Sequence, residues 1–133
     1  MPPALDACPC GHQDAKGRPL GYALCCGRFL DGGSSAPEAQ CLMRSRYTAF
    51  VRERADYLLA TWHPTRRPSA IEFERGAKWL GLQVRAHRST GPDTAEVEFV
   101  ARHRVAGRAV RLHERSRFVR EEGRWYYLDG DMM

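Results

Sequence analysis

Four thiols carry the clearest chemistry in this chain. Cys8 and Cys10 are one residue apart, and Cys25 and Cys26 are adjacent. Two close pairs across a loop rich in Gly and Pro can bring four sulfurs to one tetrahedral ion, and thiolate sulfur suits zinc. The spacing departs from the usual two-residue gap within each pair, so a generic finger template does not apply. His12 is the competing ligand: three cysteines and His12 make a site if one of the adjacent cysteines points away. A redox dithiol and inert thiols are the remaining alternatives. Cys41 stands alone on a predicted helix and reads as a plain free thiol. The metal reading therefore assigns Cys8, Cys10, Cys25 and Cys26 as ligands and Zn2+ as cofactor. Binding would supply folding energy, because little else holds residues 1–30 together.

The chain that must position these thiols has 133 residues, about one ordinary domain. Its hydrophobic fraction of 43% and charged fraction of 28% match a soluble globular protein. No run approaches the roughly 20 apolar residues that span a bilayer. Met1 to Cys10 has no apolar core behind a basic start, so no secretory signal is expected and the cytoplasm is the expected compartment. Thiols stay reduced there, which favours metal over disulfides. The formal charge is +5, nearly all from Arg, since Lys16 and Lys78 are the only lysines. A four-thiolate zinc site adds about −2 and leaves roughly +3. That balance permits an RNA or an acidic partner without demanding one.

Residues 1–33 are rich in Gly, Pro and Cys and lack hydrophobic periodicity, so they form a stapled segment. Asp31 to Ser35 reads as a linker, and residues 34–133 as the second domain. Ser34 or Ser35 is a candidate helix cap, with Pro37 near the first turn. From Ala39 the pattern is helical, with Leu42, Met43, Tyr47, Phe50 and Val51 on one face. A short helix is predicted from Asp56 to Trp62, and a third helical stretch over 69–78. Four strands are then predicted: Leu80 to His87, Ala95 to Val105, Arg108 to Arg120 and Arg124 to Leu128. Their connections, Gly91-Pro92-Asp93, Ala106-Gly107 and Glu121-Glu122-Gly123, are hairpin turns. Helices followed by an antiparallel meander argue for an α+β fold with helices packed on one sheet face.

Cys8-Pro9-Cys10-Gly11 followed by Tyr22-Ala23-Leu24-Cys25-Cys26-Gly27 resembles a SEC-C zinc motif. That motif also ends the bacterial preprotein translocase ATPase, where it contacts an export chaperone. Leu42-Met43-Arg44-Ser45-Arg46-Tyr47-Thr48-Ala49-Phe50, Tyr57-Leu58-Leu59-Ala60-Thr61-Trp62-His63-Pro64, Trp79-Leu80-Gly81-Leu82 and the ending from Gly123 to Gly130 are similar to the bacterial YchJ family. The resemblance covers nearly the whole chain. It implies a nuclear transport factor 2-like cone, helices packed on a curved antiparallel sheet, after the zinc segment. Two features depart from the motif: fourteen residues separate Cys10 from Cys25, and His12 stands where Ser is usual.

Strand alternation gives Val97, Phe99, Ala101, His103 and Val105 one parity on the second predicted strand and Val110, Leu112, Glu114, Ser116 and Phe118 one parity on the third, so the sheet's inner face is expected to carry Glu114, Ser116 and His103 among apolar residues. At about 100° per residue Arg46 falls within the apolar stripe of the first helix. Buried ions need partners, so an Arg46–Glu114 pair is expected under the sheet. Arg46, Tyr47, Tyr57, Trp62, His63, Trp79, His103 and Glu114 are the candidate lining of a pocket. An inward His or Glu could serve as a general base. No residue is assigned as catalytic: Ser116 has no nucleophile-elbow context and no Gly-rich phosphate loop exists. The reading is a zinc-binding protein-interaction module, adaptor-like and linked to translation or export machinery. One alternative is small-molecule binding or catalysis in the cone. Another is weak RNA binding through Arg102, Arg104, Arg108, Arg111, Arg115 and Arg117, which would fall steeply with salt. No membrane contact is expected; the cone fold that the resemblance implies often pairs two copies through its exposed sheet face, which no residue pattern here decides.

Overall fold

The computed structural model describes residues 7–133. Most of the amino-terminal stretch read for a leader, residues 1–6, lies outside the described residues. The chain begins with a knuckle. Isolated bridges Ala7–Gly21 and Gln13–Pro19 draw its two halves together, and a 3-10 turn at Tyr22–Leu24 leads into the one-turn helix α1, Gly27–Leu30. Helix α2 spans Ala39–Val51 and α3 spans Ala55–Ala60. Strands β1 (Lys78–Gly91), β2 (Thr94–Val105), β3 (Arg108–Glu121) and β4 (Arg124–Met132) form one antiparallel sheet in sequential order. This is the α+β architecture read from the sequence.

Two hairpins are set by their turn residues. Ala106 and Gly107 have φ 52° and 76°, and Glu122 and Gly123 have φ 52° and 78°. Both central residues are left-handed, which suits the twist of the flanking strands. The β2–β3 register runs without a shift from Val105↔Arg108 to Thr94↔Val119. The inner parity of β3 therefore persists along its length, and Glu114 and Ser116 face inward with Leu112 and Phe118. Val100 is the exception on β2, fully buried although it has the outward parity.

Helix α2 is buried on more than one side. Ala39, Leu42, Met43, Ser45, Arg46, Tyr47, Thr48 and Ala49 are all inside. The sheet covers one flank and the knuckle another, where the Cys8 Sγ lies 3.7 Å from Thr48 Oγ1. The four cysteines, Phe29 and Leu30 belong to the same buried cluster as Leu42, Met43, Val97 and Phe118. The Asp31–Ser35 stretch is held in place. Asp31 accepts hydrogen bonds from the Tyr22 hydroxyl and from Arg54, and the Ser34 N–H donates to the Arg28 carbonyl.

Several local expectations are corrected. Residues 69–78 form no helix: Ile71 and Phe73 are half-buried while Ala70, Glu72 and Glu74 are exposed. That alternation is the period of an extended chain, and Gly76 at φ 75° turns it into β1. Neither Ser34 nor Ser35 caps α2; its N-cap is Glu38, with no side-chain cap. Helix α3 stops at Ala60 because the following backbone pairs with β4: the Tyr127 N–H donates to the Thr61 carbonyl and the His63 N–H to the Tyr127 carbonyl, each at 2.8 Å. Strand β4 runs on to Met132 through a register shift opposite Arg117/Phe118. No helix among the described residues is long and apolar enough to cross a membrane.

Candidate metal centre and cone cavity

Local hydrogen bonds aim the four sulfurs. The Cys8 N–H donates to the Leu20 carbonyl at 2.9 Å, and the Gly11 N–H closes a turn on the Cys8 carbonyl at 3.1 Å. Gly11 takes φ 75°, which glycine adopts without strain. Cys25 and Cys26 sit at the head of α1, whose Arg28 and Phe29 N–H groups donate back to their carbonyls. A Cβ at Gly27 would lie 2.7 Å from the Tyr22 oxygen, so only glycine lets the two cysteines follow Tyr22 so closely.

The four Sγ atoms lie within 4.8 Å of one another, and all four residues are buried. Cys10 Sγ and Cys25 Sγ are 3.6 Å apart. Zinc–sulfur bonds of about 2.3 Å require a tetrahedral edge of about 3.8 Å, so the donor set fits such an ion. Its electrostatics point the same way. Hydrogen bonds from the other thiols, Cys10 first, hold Cys8 well below the usual thiol range, and Cys10 itself is drawn down to about 7, chiefly by Cys25. Cys25 and Cys26 are pushed up, above all by Cys10. Thiols this close share a negative charge, and a cation among them relieves the repulsion of four thiolates. Two guanidinium groups flank the cluster: Arg28 Nε donates to the Cys25 carbonyl at 3.0 Å and Arg44 Nη1 to the Cys10 carbonyl at 3.1 Å. His12 is exposed and outside the cluster, and Cys41 is half-buried apart from it.

Under the sheet lies a cavity of about 210 Å³. Of the residues singled out in the sequence, Arg46, Tyr47, Trp79 and Glu114 line it. The other four lie elsewhere. Tyr57 shares a hydrogen bond with Ser45 at 2.7 Å and borders a separate cleft near Trp125. Trp62 packs on Tyr127, and His63 lies between Thr65 and Glu121, 2.7 and 2.9 Å from its two ring nitrogens. His103 stacks on Trp79, ring centroids 4.7 Å apart, and lines a cleft beside Phe73.

The expected Arg46–Glu114 ion pair is not formed. Arg46 Nη1 donates to the Leu58 carbonyl at 2.8 Å and to Thr61 Oγ1 at 2.7 Å. Its guanidinium sits over the Tyr127 ring at 4.6 Å, and burial lowers its pKa to about 10. Glu114 Oε2 accepts from the Ser116 hydroxyl at 2.5 Å and the Tyr127 hydroxyl at 3.3 Å. Tyr127 thus keeps the two ions apart, a role that parity alone could not show. Gly130 entered the sequence reading only as the end of a resembling stretch, without a packing role: a Cβ there would fall 2.3 Å from Glu114 Oε2. Of the arginines read as an outer stripe, Arg117 pairs with Asp129 and Asp131; elsewhere on that face Arg88 pairs with Glu96, and His113 hydrogen-bonds Glu98.

Residues 38–130 match the model of the middle, NTF2-like domain of YchJ. The chain belongs to the YchJ family. A UPF0225 protein of Polaromonas sp. (strain JS666 / ATCC BAA-500) is 64% identical over 98% of this chain and 99% of its own length. Another, from Xanthomonas campestris pv. campestris (strain 8004), is 54% identical over 93% of both. Among solved structures, a SEC-C motif-containing protein from Rhodopseudomonas palustris superimposes with a TM-score of 0.79 at 34% identity, covering 96% of this chain and 98% of the other. A SEC-C motif-containing protein from Psychrobacter arcticus gives 0.79 at 30% identity, over 97% and 84%. For this YchJ-family chain the likeness to these two SEC-C motif-containing proteins thus covers both the cysteine knuckle and the sheet that follows it.

Proposed function

We propose that Cys8, Cys10, Cys25 and Cys26 bind one Zn2+ and that the loaded knuckle is a protein-docking element carried on the cone, adaptor-like and linked to export or translation machinery. The observation that carries the docking role is Leu24. It sits in the turn that ends at Cys25 and is 73% exposed, the most exposed of the large apolar side chains among the described residues. A metal-stapled turn would hold this side chain out in one position, so a partner orders little on binding it. Arg18 and Arg28 are exposed on the same knuckle, which suits an acidic partner surface with an apolar anchor pocket.

The test uses the purified cytoplasmic export chaperone and purified ribosomes as baits. Zinc-loaded protein, chelator-stripped protein and Leu24→Asp are compared. The expected result is binding to one bait by the loaded protein only, with Leu24→Asp keeping its metal and its melting temperature. Equal binding by all three forms, or binding by none, would remove the docking role while leaving the metal site standing.

A further inference from the structure

The cone cavity holds two opposite charges that do not satisfy each other. Its walls are Met43, Phe50, Trp79, Phe99, Leu112 and Phe118, and its polar floor is Arg46, Glu114, Ser116 and Tyr127. Apolar surface dominates, so charges left there without partners are costly. Arg46 is 6% exposed. Its Nη1 is engaged by Leu58 and Thr61, and among the described residues nothing accepts from Nε or Nη2. Neither nitrogen is among the fully buried orphaned atoms, so both keep contact with open space. Glu114 uses Oε2 for Ser116 and Tyr127, and among the described residues Oε1 has no donor. The sheet makes room for this carboxylate, because any side chain at Gly130 would collide with it. A filled core would have closed that space.

Size and polarity together define a ligand. An apolar cavity of roughly 150 Å³ accommodates benzene; this one, at about 210 Å³, has room for one ring and a short polar arm. The arm must offer an N–H donor to Glu114 and an oxygen acceptor to Arg46, with no net charge, since the floor itself sums to zero. We infer that the cone binds a small single-ring molecule whose head carries both a donor and an acceptor, a primary amide or an α-amino acid zwitterion. The walls take the ring, offset against Phe99 and Phe118, and the head spans the gap that Tyr127 keeps open between guanidinium and carboxylate. This site is independent of the zinc knuckle's role.

The experiment is an NMR titration of the zinc-loaded chain with 2-phenylacetamide, phenylalanine, phenylacetate, phenethylamine and ethylbenzene. The expected result is saturable shifts at Met43, Phe99 and Phe118 for the amide or the zwitterion, with the other three at least about tenfold weaker. Glu114→Leu should weaken the preferred head by a similar factor. Glu114→Gln tells the two heads apart: it retains an acceptor for an amide and loses the charge a zwitterion needs. Gly130→Ala, which displaces the carboxylate without entering the cavity lining, should act like Glu114→Leu. No shifts with any compound, shifts confined to the outer sheet face, or ethylbenzene binding as well as both polar heads would each overturn the inference. The wild-type titration decides the matter even if a variant fails to fold.

Discussion

Glu114 and Arg46 show what a sequence can and cannot say about single residues. Their inward direction was legible, because β3 alternates without interruption and α2 places Arg46 within an apolar stripe. Their mutual distance was not, since it depends on Tyr127 arriving from the far end of the chain to stand between them. The packing role of Gly130 was not legible either: its need for glycine is a close approach by a side chain on the neighbouring strand. Gly130→Ala is expected to cost about 1–3 kcal/mol by overpacking. Glu114→Ala in the same chain should recover most of that loss, which a double-mutant cycle on denaturant melts would read. Additive losses would mean that the two residues do not meet. The four cysteines, by contrast, were legible as a group, because local turns position them and the sequence shows those turns directly. The contribution of Thr48 and Arg44 around them was hidden, since it needs the docking of knuckle on helix.

Elements were read well where local chemistry decides them. The two left-handed hairpin turns and the long helix followed from Gly placement and apolar spacing. The segment over 69–78 was misread because two apolar residues at alternate positions, Ile71 and Phe73, fit either period when the run is short. Strand β4 was cut short because Asp129-Gly130-Asp131 looks like a turn, yet Arg117 holds both aspartates and keeps the strand paired. That contact makes the outer face sensitive to acid. Hydrogen bonds from Arg117 hold the Asp131 carboxyl below its usual value. A depressed folded-state carboxylate contributes stability above its unfolded value, near 4, and loses it as pH falls through the folded one. Between pH 6 and 3 the parent should therefore lose more melting temperature than Arg117→Met, by a small margin because both partners are exposed. High salt should narrow the margin. Identical slopes for the two proteins would show that the contact contributes nothing.

At the scale of the whole molecule, the knuckle and the cone are built around α2. The cysteines share a buried cluster with Leu42, Met43 and Phe118, and Arg54 reaches back to Asp31 and the Leu30 carbonyl. A sequence poor in hydrophobic periodicity over its first 33 residues gave no hint of that continuity, because the knuckle contributes few apolar groups and its sulfurs complete the packing only in three dimensions. The proposed metal would then stabilise more than its own loop: in a two-state chain, whatever binds the folded form alone raises the stability of everything that folds with it. Metal content per chain, measured on reduced protein purified without chelator and followed by thermal melts with and without chelator, tests this most directly. The expected result is one zinc per chain and a single transition, reported alike by Trp79 in the cone and by Tyr22 in the knuckle, that moves down as a unit when the metal is removed. Absence of metal from reduced protein, or a stripped knuckle that leaves the cone's transition where it was, would contradict it.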